Sequence, residues 1–525
     1  MEKDTSRTIV KQAVRFFSGT IISRITGLLR DITMAACFGT TPSVAAFMIA
    51  FRLTNLLRRV LGEGAMQSAL IPYLESLKKK NIAQAYKFFR DLILIITLFL
   101  MGVILCIEIG CALWLSFSPP TSNWKDVIVL TMLSLPALLF ICLYGLFSSF
   151  LQCEKRFFLP GIAPVFFNIV WIGAAFMLKD LPSMEAMKGL SISLIVAYGM
   201  QWLCISGPVF ARLSEHIVSW RMKLEIEPVK RLFKPLVFTI LGVSAGQVNS
   251  SLDPLFARIA DLDGPVYLWY AIRIQQLPLA LFGIAIASAL LPTLSRLADQ
   301  DDNTYYKKVI SGAIHKTVLF MIPLTFLMIS LGTSILNILF GHGDFKDEAL
   351  VQSTWCLWGY MLGLLPMTIV LLYATVFYAQ KNFRAPLKAS LLSMGVNAGL
   401  NTFFVFALSW GAASIAFATS IAAFINQFIL GALLKKKGLS PYFRDFIKQL
   451  TSIVIASVAA ATTTIYIGFK WLGDPTLLIV GNKKAVYNHG FFNQLRTLSL
   501  EAFIFLTIGF IAWVVSSYAL RSRKS

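Results

Sequence analysis

The sequence predicts an all-α, multi-pass membrane protein with fourteen transmembrane helices. Of its 525 residues, 57% are hydrophobic and only 14% are charged, whereas about a quarter of the residues of a soluble globular protein are charged. The mean hydropathy is +0.71. Apolar blocks long enough for a bilayer of about 30 Å recur along the chain, and only helices satisfy their own backbone in lipid. The predicted spans are 13–38, 43–66, 91–116, 125–151, 159–178, 188–211, 234–258, 265–294, 309–340, 350–378, 386–408, 410–434, 447–471 and 497–519.

The basic residues fall in alternate loops between these blocks. Opposite loops such as "FGTTPS" and "SFSPPTSN" contain no Lys or Arg, and the longer loop at 472–496 is the exception on that side. Because an excess of Lys and Arg marks cytoplasmic loops, both termini are predicted to be cytoplasmic. The formal net charge of +21 therefore reflects membrane topology and does not indicate a nucleic-acid partner. The basic clusters lie at both chain ends and at 78–90, 155–156, 221–231, 307–308, 381–388 and 435–437.

Two pairs of segments resemble each other at an offset of about 220 to 226 residues. "AFRLTNLLRRVLGEGAMQSALIPYLESL" at 50–77 is similar to "AIRIQQLPLALFGIAIASALLPTLSRL" at 271–297, and "LQCEKRFFLP" at 151–160 is similar to "YAQKNFRAP" at 378–386. These similarities predict a duplicated six-span unit with two parallel copies. The predicted organisation is an N-lobe at 1–220, a C-lobe at 221–440 and two extra C-terminal helices at 441–525.

Charged residues interrupt the predicted spans, beginning with "SRITGLLRD" at 23–31. A charge at the bilayer centre costs at least about 2.5 kcal/mol, so such residues normally face a cavity or a partner. Apart from Arg15 near the beginning of span 1, spans 1, 2 and 8 carry six arginines but only two acids, which leaves positive charge uncompensated. Since arginine binds phosphate through a bidentate fork, we predict a cationic cavity for an anionic cargo. The residues are Arg24, Arg30, Arg52, Arg58, Arg59, Arg273, Asp31 and Glu63.

Three of these residues are interpreted as structural. Arg59 and Glu63 stand four residues apart, a spacing at which opposite charges pair on a helix. Arg52 lies on the same face of the predicted helix. We therefore predict supporting ion pairs for these three residues. Anion binding is predicted for Arg24, Arg30, Arg58 and Arg273.

A second polar group consists of uncharged residues around a single acid. Asp253 lies in "GQVNSSLDPLF", Asn397 and Asn401 stand four apart in span 11, and Thr419 lies in "FATSIA" of span 12. One carboxylate with amide and hydroxyl oxygens suits sodium or a proton. A polar contact between packed helices is the alternative interpretation, and it stays open.

The sequence lacks the usual motifs of ATP hydrolysis and metal catalysis. It contains neither a G-x-x-x-x-G-K phosphate loop nor an H-E-x-x-H motif. A clustered set of acid, base or metal ligands, which a membrane enzyme would need, is also lacking. We therefore predict a transporter rather than an enzyme, with no resident cofactor, driven by an ion gradient or by the membrane potential.

The segments "SRITGLLRD", "NLLRRVLGEGAMQSALIPYL" and "LGVSAGQ…YAIRIQQLPLALFGIAIASALLPTLS" resemble the MurJ (MviN) family of the MOP exporter superfamily. The resemblance covers essentially the whole chain. It implies that the chain flips lipid II, the undecaprenyl-pyrophosphate-linked peptidoglycan precursor, to the outer leaflet of the bacterial inner membrane by alternating access. It thereby implies a part in peptidoglycan biosynthesis and cell shape. It also implies contact with membrane lipids and a groove for the polyprenyl tail at spans 13 and 14. Other cell-wall synthesis proteins stay open as partners.

The resemblance further implies roles for individual residues. Where many relatives carry an acid, this chain has Ala45 in span 2 and Gln276 in span 8, so conformational coupling through those carboxylates is not expected here. The residues implied to handle the pyrophosphate and sugar-peptide head are Ser23, Arg24, Arg30, Asp31, Arg58 and Arg273. The residues that match the sodium site of sodium-using members are Asp253, Asn397, Asn401 and Thr419.

Three other functions stay open at this point. A flippase for another polyprenyl-linked glycan would meet the same pyrophosphate. A cation-coupled multidrug exporter of the same superfamily would need an acidic or aromatic cavity rather than a basic one. A membrane scaffold without transport would require its buried arginines to be fully paired, which the excess of arginines over acids disfavours.

Overall fold

The computed structural model describes residues 6–61, 65–119, 122–216, 251–298, 303–439, 447–472 and 491–522. These residues contain helices, turns and bends but no strand, so the predicted all-α class is confirmed for this part of the chain. The helices are α1 Ser6–Phe38, α2 Pro42–Leu61, α3 Ala65–Lys80, α4 Ile82–Phe117, α5 Lys125–Ser134, α6 Ala137–Cys153, α7 Phe158–Ile162, α8 Pro164–Leu178, α9 Ser183–His216, α10 251–260, α11 Gly264–Pro278, α12 Ala285–Ala298, α13 Asn303–Phe340, α14 Asp347–Leu362, α15 Leu364–Ala379, α16 Arg384–Thr402, α17 Ala413–Lys436, α18 Ile447–Ile467 and α19 Phe491–Ser522. Three π-helical turns lie at Leu279–Ile284, Phe403–Ala407 and Gly468–Leu472.

Nine helical segments of the described residues are long and apolar enough to cross a membrane. Two further helix pairs pass the same test together. Helices α5 and α6 meet at an angle of 47°, and α14 and α15 meet at 40°. If each bent pair is one span, the described chain has up to eleven, and these correspond to eleven of the fourteen predicted spans.

The other three predicted spans account for the difference in number. Helix α1 contains the predicted span 13–38, which carries Arg24, Arg30 and Asp31. In α2 the apolar stretch is short, at Pro42–Leu56. Most of the predicted span 234–258 lies outside the described residues.

The chain divides into two compact units between Ser251 and Leu252. The predicted lobe boundary at residue 220 falls within 217–250, outside the described residues. In the first unit, α3, α4, α6 and α9 enclose an aromatic core in which Phe89 stacks on Phe150 with ring centroids 4.4 Å apart. Burial of such rings is a main source of packing energy in a helical bundle.

The second pair of similar sequences folds into the same turn in both units. Lys155 and Lys381 each have φ of 57°, a left-handed conformation that ends α6 and α15. The residue after each lysine donates a backbone hydrogen bond to a carbonyl of the last helical turn, at 2.8 Å for Arg156 and 2.9 Å for Asn382. This arrangement is the Schellman helix end, usually built with glycine.

In the second unit, α18 and α19 pack on each other and on α13. Their apolar contact is a cluster centred on Leu331 of α13, Ala460 of α18 and Phe505 of α19. Separately, α11, α14 and α17 pack together, and Ser420 of α17 donates a hydrogen bond to the carbonyl of Gly359 in α14 at 2.6 Å. Helix α16 packs along α17, so that polar residues of these two helices can meet.

Candidate functional site

The motif at 23–31 lies on α1, which packs against α7 and α8. The approach to α7 is close at Gly19, where a β-carbon would lie 3.1 Å from the backbone of Gly161. At Gly27 a β-carbon would lie 3.7 Å from the side-chain nitrogen of Asn168 in α8. Small residues at these positions let α1 lie directly against its neighbours, which is typical of packed membrane helices.

Arg30 is buried against α8, with 8% of its surface exposed. Its Nε and Nη2 lie 3.1 and 2.7 Å from Oδ1 of Asp31, and its Nη1 donates to Oδ1 of Asn168 at 3.2 Å. The guanidinium carbon lies 4.9 Å from the ring centroid of Trp171 and 5.8 Å from that of Phe167. The charge of Arg30 is therefore balanced by its neighbour in sequence, and all three guanidinium nitrogens contact protein.

Asn168 also binds the beginning of the same motif. Its Nδ2 donates to the carbonyl of Ser23 at 3.2 Å and to the hydroxyl of Thr26 at 2.9 Å. The Thr26 hydroxyl in turn donates to the Ser23 carbonyl at 3.0 Å. One buried amide of α8 thus holds a whole two-turn segment of α1 in place, from Ser23 to Arg30.

Arg24 has the opposite environment within the same motif. Its side chain is exposed, although it lies in a predicted membrane span and next to the half-buried Ser23. In the part of the chain that the structure describes, neither a hydrogen bond nor an ion pair engages it. The motif therefore combines a sequestered pair, Arg30 and Asp31, with one arginine that is available to a ligand.

Helix α2 places the other arginines of the first unit. Arg52 is half-buried on α2. Arg58 and Arg59 belong to the same helix, but their side chains lie outside what the structure describes, as does all of Glu63. The predicted Arg59–Glu63 pair and the predicted anion contact of Arg58 therefore stay predictions. Ala45 of the same helix is completely buried at 0% exposure.

Arg273 lies on α11 in the second unit and is half-buried. Its guanidinium carbon lies 4.4 Å from the ring centroid of Trp269, one turn earlier, within the range of cation–π attraction. The helix is fixed by Gln275, whose side chain donates to the carbonyl of Tyr360 at 3.1 Å. Gln276, the next residue, is exposed.

The structure brings all four residues of the predicted cation site together within the second unit. Asn401 donates to Oδ1 of Asp253 at 3.1 Å and to Oδ1 of Asn397 at 2.7 Å. Asn397 donates to the hydroxyl of Thr419 at 3.2 Å, and that hydroxyl lies 3.1 Å from Oδ2 of Asp253. These contacts close a ring across α10, α16 and α17, which we call the Asp253 ring.

The Asp253 ring has the oxygens that a small cation requires. Asp253, Asn397 and Asn401 are buried, and Asn401 is only 1% exposed. The side-chain oxygen of Asn401 is buried and has no hydrogen-bond partner among the described residues. Buried carboxylate, amide and hydroxyl oxygens suit a hard, singly charged ion such as sodium. In the described part of the chain no cluster of three His, Cys, Asp or Glu side chains could hold a transition metal.

A family model described as lipid II flippase MurJ matches residues 34–479, which is more than half of the chain. The chain belongs to the MurJ family. A probable lipid II flippase MurJ of Chlamydia trachomatis is 31% identical over 469 residues, which cover 89% of this chain and 86% of the relative. The lipid II flippase MurJ of Burkholderia cenocepacia is 27% identical over 477 residues, which cover 86% of this chain and 89% of the relative. The predicted MurJ membership is confirmed.

Solved structures show the same fold. A lipid II flippase MurJ in an inward closed conformation aligns with a TM-score of 0.74 at 23% identity, over 95% of this chain and 98% of that one. An inward-facing multidrug resistance transporter of the MATE family and MOP superfamily aligns with a TM-score of 0.63 at 15% identity. The alignment covers 81% of this chain and 98% of that one. The fold of this MurJ family member is thus shared with transporters of different cargo.

The sequence prediction missed three residues that contact the predicted anion-binding arginines. Asn168 and Trp171 of α8 hold Arg30, and Trp269 of α11 lies under Arg273. Asn168 is a lone amide in the apolar stretch "PVFFNIVWIGAAFML", and a polar residue inside a membrane helix is a signal of a specific contact. The tryptophans carry no such signal, because aromatic residues are common throughout apolar spans.

Proposed function

We propose that this chain is a lipid II flippase of the bacterial inner membrane. It moves the undecaprenyl-pyrophosphate-linked precursor of peptidoglycan from the cytoplasmic to the outer leaflet by alternating access. The membership of the MurJ family supports the substrate, and nine to eleven apolar helices in the described residues support a multi-pass membrane protein. The chain acts as a transporter and not as an enzyme.

The contrast between Arg24 and Arg30 is the observation that carries the substrate class. Arg30 is neutralised by Asp31, whereas Arg24 is exposed on the same membrane helix. An exposed guanidinium within a membrane span needs an anion as its partner. Arginine binds the oxygens of a pyrophosphate in a bidentate manner. A cationic drug would be repelled at Arg24, so the same observation disfavours a multidrug exporter.

For the membrane topology we propose fourteen spans, arranged as two pseudo-symmetric lobes of six followed by two extra helices. Eleven of these spans are the candidates described above. The other three are α1, α2 and the predicted span 234–258. The alternation of basic loops supports cytoplasmic termini. Helices α18 and α19, which follow the two lobes, supply the groove for the polyprenyl tail.

As the energy source we propose an ion gradient or the membrane potential, with sodium bound at the Asp253 ring. The closed ring of oxygens and the buried, unpaired oxygen of Asn401 support this proposal. A bound ion can bias a transporter only by the difference in its affinity for the two conformations. The ring draws on three helices, so a small movement of any one would change that affinity.

Reconstitution of the purified full chain into lipid vesicles with labelled lipid II tests the proposed function. We expect lipid II to become accessible from the opposite leaflet at a rate that increases with the amount of folded protein. Cells depleted of the protein should accumulate lipid II in the cytoplasmic leaflet. No transfer in vesicles together with no accumulation in depleted cells would contradict the proposal. Faster transfer of a different polyprenyl-pyrophosphate glycan would assign the chain to that substrate instead.

A further inference from the structure

The buried acids Asp31 and Asp253 occupy equivalent positions in the two units. Asp31 lies seven residues before the end of α1 and eleven residues before the beginning of α2. Asp253 lies seven residues before residue 260, the end of α10, and eleven before the beginning of α11. Both carboxyl groups are therefore about 10 Å along the helix axis from the corresponding helix end. Both are also buried, with 4% and 7% of the residue surface exposed. Asp31 is thus the first-unit counterpart of Asp253.

In both units the acid is connected to an asparagine of the membrane helix that follows the shared left-handed turn. In the second unit Asn401 of α16 donates directly to Oδ1 of Asp253 at 3.1 Å. In the first unit the guanidinium of Arg30 lies between the two partners. Its Nη2 donates to Oδ1 of Asp31 at 2.7 Å, and its Nη1 donates to Oδ1 of Asn168 in α8 at 3.2 Å. The first unit therefore carries a cation between the same two helices that meet at the Asp253 ring in the second.

The residue that precedes the acid differs between the units. It is Arg30 in the first unit and Leu252 in the second. A leucine has no charge to offer a carboxylate, whereas the arginine side chain is long enough to fold back onto Asp31. The acid of the first unit is thus supplied with a cation by the chain itself. For the second unit, the proposed cation comes from solution.

The surroundings of the two acids also suit different cations. The guanidinium carbon of Arg30 lies 4.9 Å from the ring centroid of Trp171 and 5.8 Å from that of Phe167. At the offset of 226 residues that relates the two left-handed turns, these rings correspond to Asn397 and Ser393 of α16. An aromatic face attracts an organic cation, whereas a hard metal ion needs oxygen ligands. The first unit therefore has the surroundings of a guanidinium, and the second has those of a small inorganic ion.

We propose that the first unit contains a counterpart of the Asp253 ring in which the guanidinium of Arg30 takes the place of a free ion. We call this group the tethered cation. Because it cannot leave, the contact between α1 and α8 is independent of the ion concentration, and any ion dependence of the protein belongs to the second unit. The comparison with a free ion rests on the proposed sodium site, but the presence of the tethered cation does not.

Rescue of a variant by free guanidinium tests the tethered cation. Arg30→Leu introduces the residue found at the equivalent position of the second unit. It should lower the thermal unfolding midpoint of the purified full chain in detergent by several degrees, because a buried carboxyl group loses its cation. Guanidinium chloride should raise this midpoint again, at concentrations that do not raise the midpoint of the wild type. Urea, which has nearly the same size and shape but no charge, should not raise it, and neither should sodium.

A control variant removes the acid as well. Arg30→Leu combined with Asp31→Asn has no carboxylate to bind the added cation, so guanidinium should not raise its midpoint. If Arg30→Leu does not fold by itself, the same comparison is made from the yield of folded protein purified with each additive. The proposal would be overturned by the absence of a guanidinium effect on Arg30→Leu, or by an equal effect in the double variant. An equal effect of urea, or an effect of sodium alone, would overturn it too.

The reverse exchange tests the equivalence of the two positions in the second unit. Leu252→Arg places an arginine before Asp253, as Arg30 precedes Asp31, and should abolish the sodium-dependent rise of the thermal midpoint. Leu252→Gln, which adds polarity without charge, is the control and should retain that rise. A rise that persists in Leu252→Arg would contradict the equivalence. If the wild type does not respond to sodium, the proposed sodium site fails, and the guanidinium rescue of Arg30→Leu still decides whether the tethered cation exists.

Discussion

The side chain of Asn168 in α8 accepts a hydrogen bond from Arg30 of α1 at 3.2 Å. The same amide donates to two groups one to two turns earlier on α1, the Ser23 carbonyl and the Thr26 hydroxyl. Asn168 therefore determines how α1 lies on α8, and through this contact it fixes the position from which Arg24 projects. A residue of another helix thus holds the arginine motif in place.

Replacement of Asn168 by alanine should destabilise the first unit. The change removes the hydrogen bonds to Arg30, Ser23 and Thr26 and leaves a buried guanidinium partly unsatisfied, which costs about 1–3 kcal/mol. The thermal unfolding midpoint of the purified protein in detergent should fall accordingly. Thr33→Ala is the control, since the Thr33 hydroxyl bonds only the Leu29 carbonyl of its own helix at 2.9 Å and should matter little. Equal midpoints for the two variants would show that the amide does not hold α1.

Sodium should stabilise the wild type through the Asp253 ring. A ligand at a hundred times its dissociation constant adds about 2.7 kcal/mol to the free energy of unfolding, so the thermal midpoint should rise with sodium and not with the larger potassium ion. Asp253→Asn removes the only carboxylate of the ring and should abolish that rise. Ser420→Ala on α17, next to Thr419 but outside the ring, should retain it.

Two results would contradict the sodium site. One is a wild type whose midpoint does not respond to sodium, with Asp253→Asn indistinguishable from it. The other is a response that survives in Asp253→Asn. Either result would leave the Asp253 ring as a polar contact between α10, α16 and α17, the alternative that the sequence left open.

The loop between α10 and α11 should make stability depend on pH. Burial raises the pKa of Asp263 from 3.8 to about 6, and the charges of Asp261 and Glu348 act in the same direction against Arg258. Because the folded protein binds this proton more tightly than the unfolded chain, its stabilising effect is complete below about pH 4 and is lost as the pH rises through about 6. Asp263→Asn, which carries no charge at any pH, should lack this loss.

Thermal midpoints of the wild type and of Asp263→Asn, measured across that pH range, check the assignment. The two curves should separate as the pH rises toward about 6 and run parallel above it. Asp261→Asn removes a neighbouring negative charge, so it should move the separation to lower pH. Curves that run parallel over the whole range would show that Asp263 does not titrate there.

The elements that hydropathy alone determines could be predicted from the sequence. Eleven of the fourteen predicted spans have a counterpart among the described helices, because a bilayer requires long apolar helices whatever their packing. The Asp253 ring could also be predicted, since a carboxylate, two amides and a hydroxyl stand out in apolar spans, and the family resemblance indicated which spans meet. The structure then supplied the hydrogen bonds that join them.

The contacts of Arg30 could not be predicted from spacing. Adjacent residues on a helix do not normally face each other, so the spacing rule gave Arg30 and Asp31 no pair. The long arginine side chain nevertheless folds back onto its neighbour, because Asn168 and Trp171 of α8 hold its other side. Only the position of α8 on α1 decides this, and that position is a tertiary property that one sequence does not display.

The most direct test of the anion-binding account is the rate of lipid II transfer, per molecule of folded protein in vesicles, for Arg24→Ala, Arg24→Lys and Arg24→Glu. Loss of one charge-assisted contact of about 1.5–3 kcal/mol should slow transfer by Arg24→Ala about ten- to a hundredfold. Lysine should rescue in part because it retains the charge without the bidentate fork, and glutamate should be worse than alanine. Arg156→Ala, which removes an exposed arginine from a basic loop, should transfer at the wild-type rate. A wild-type rate for Arg24→Ala would contradict the account.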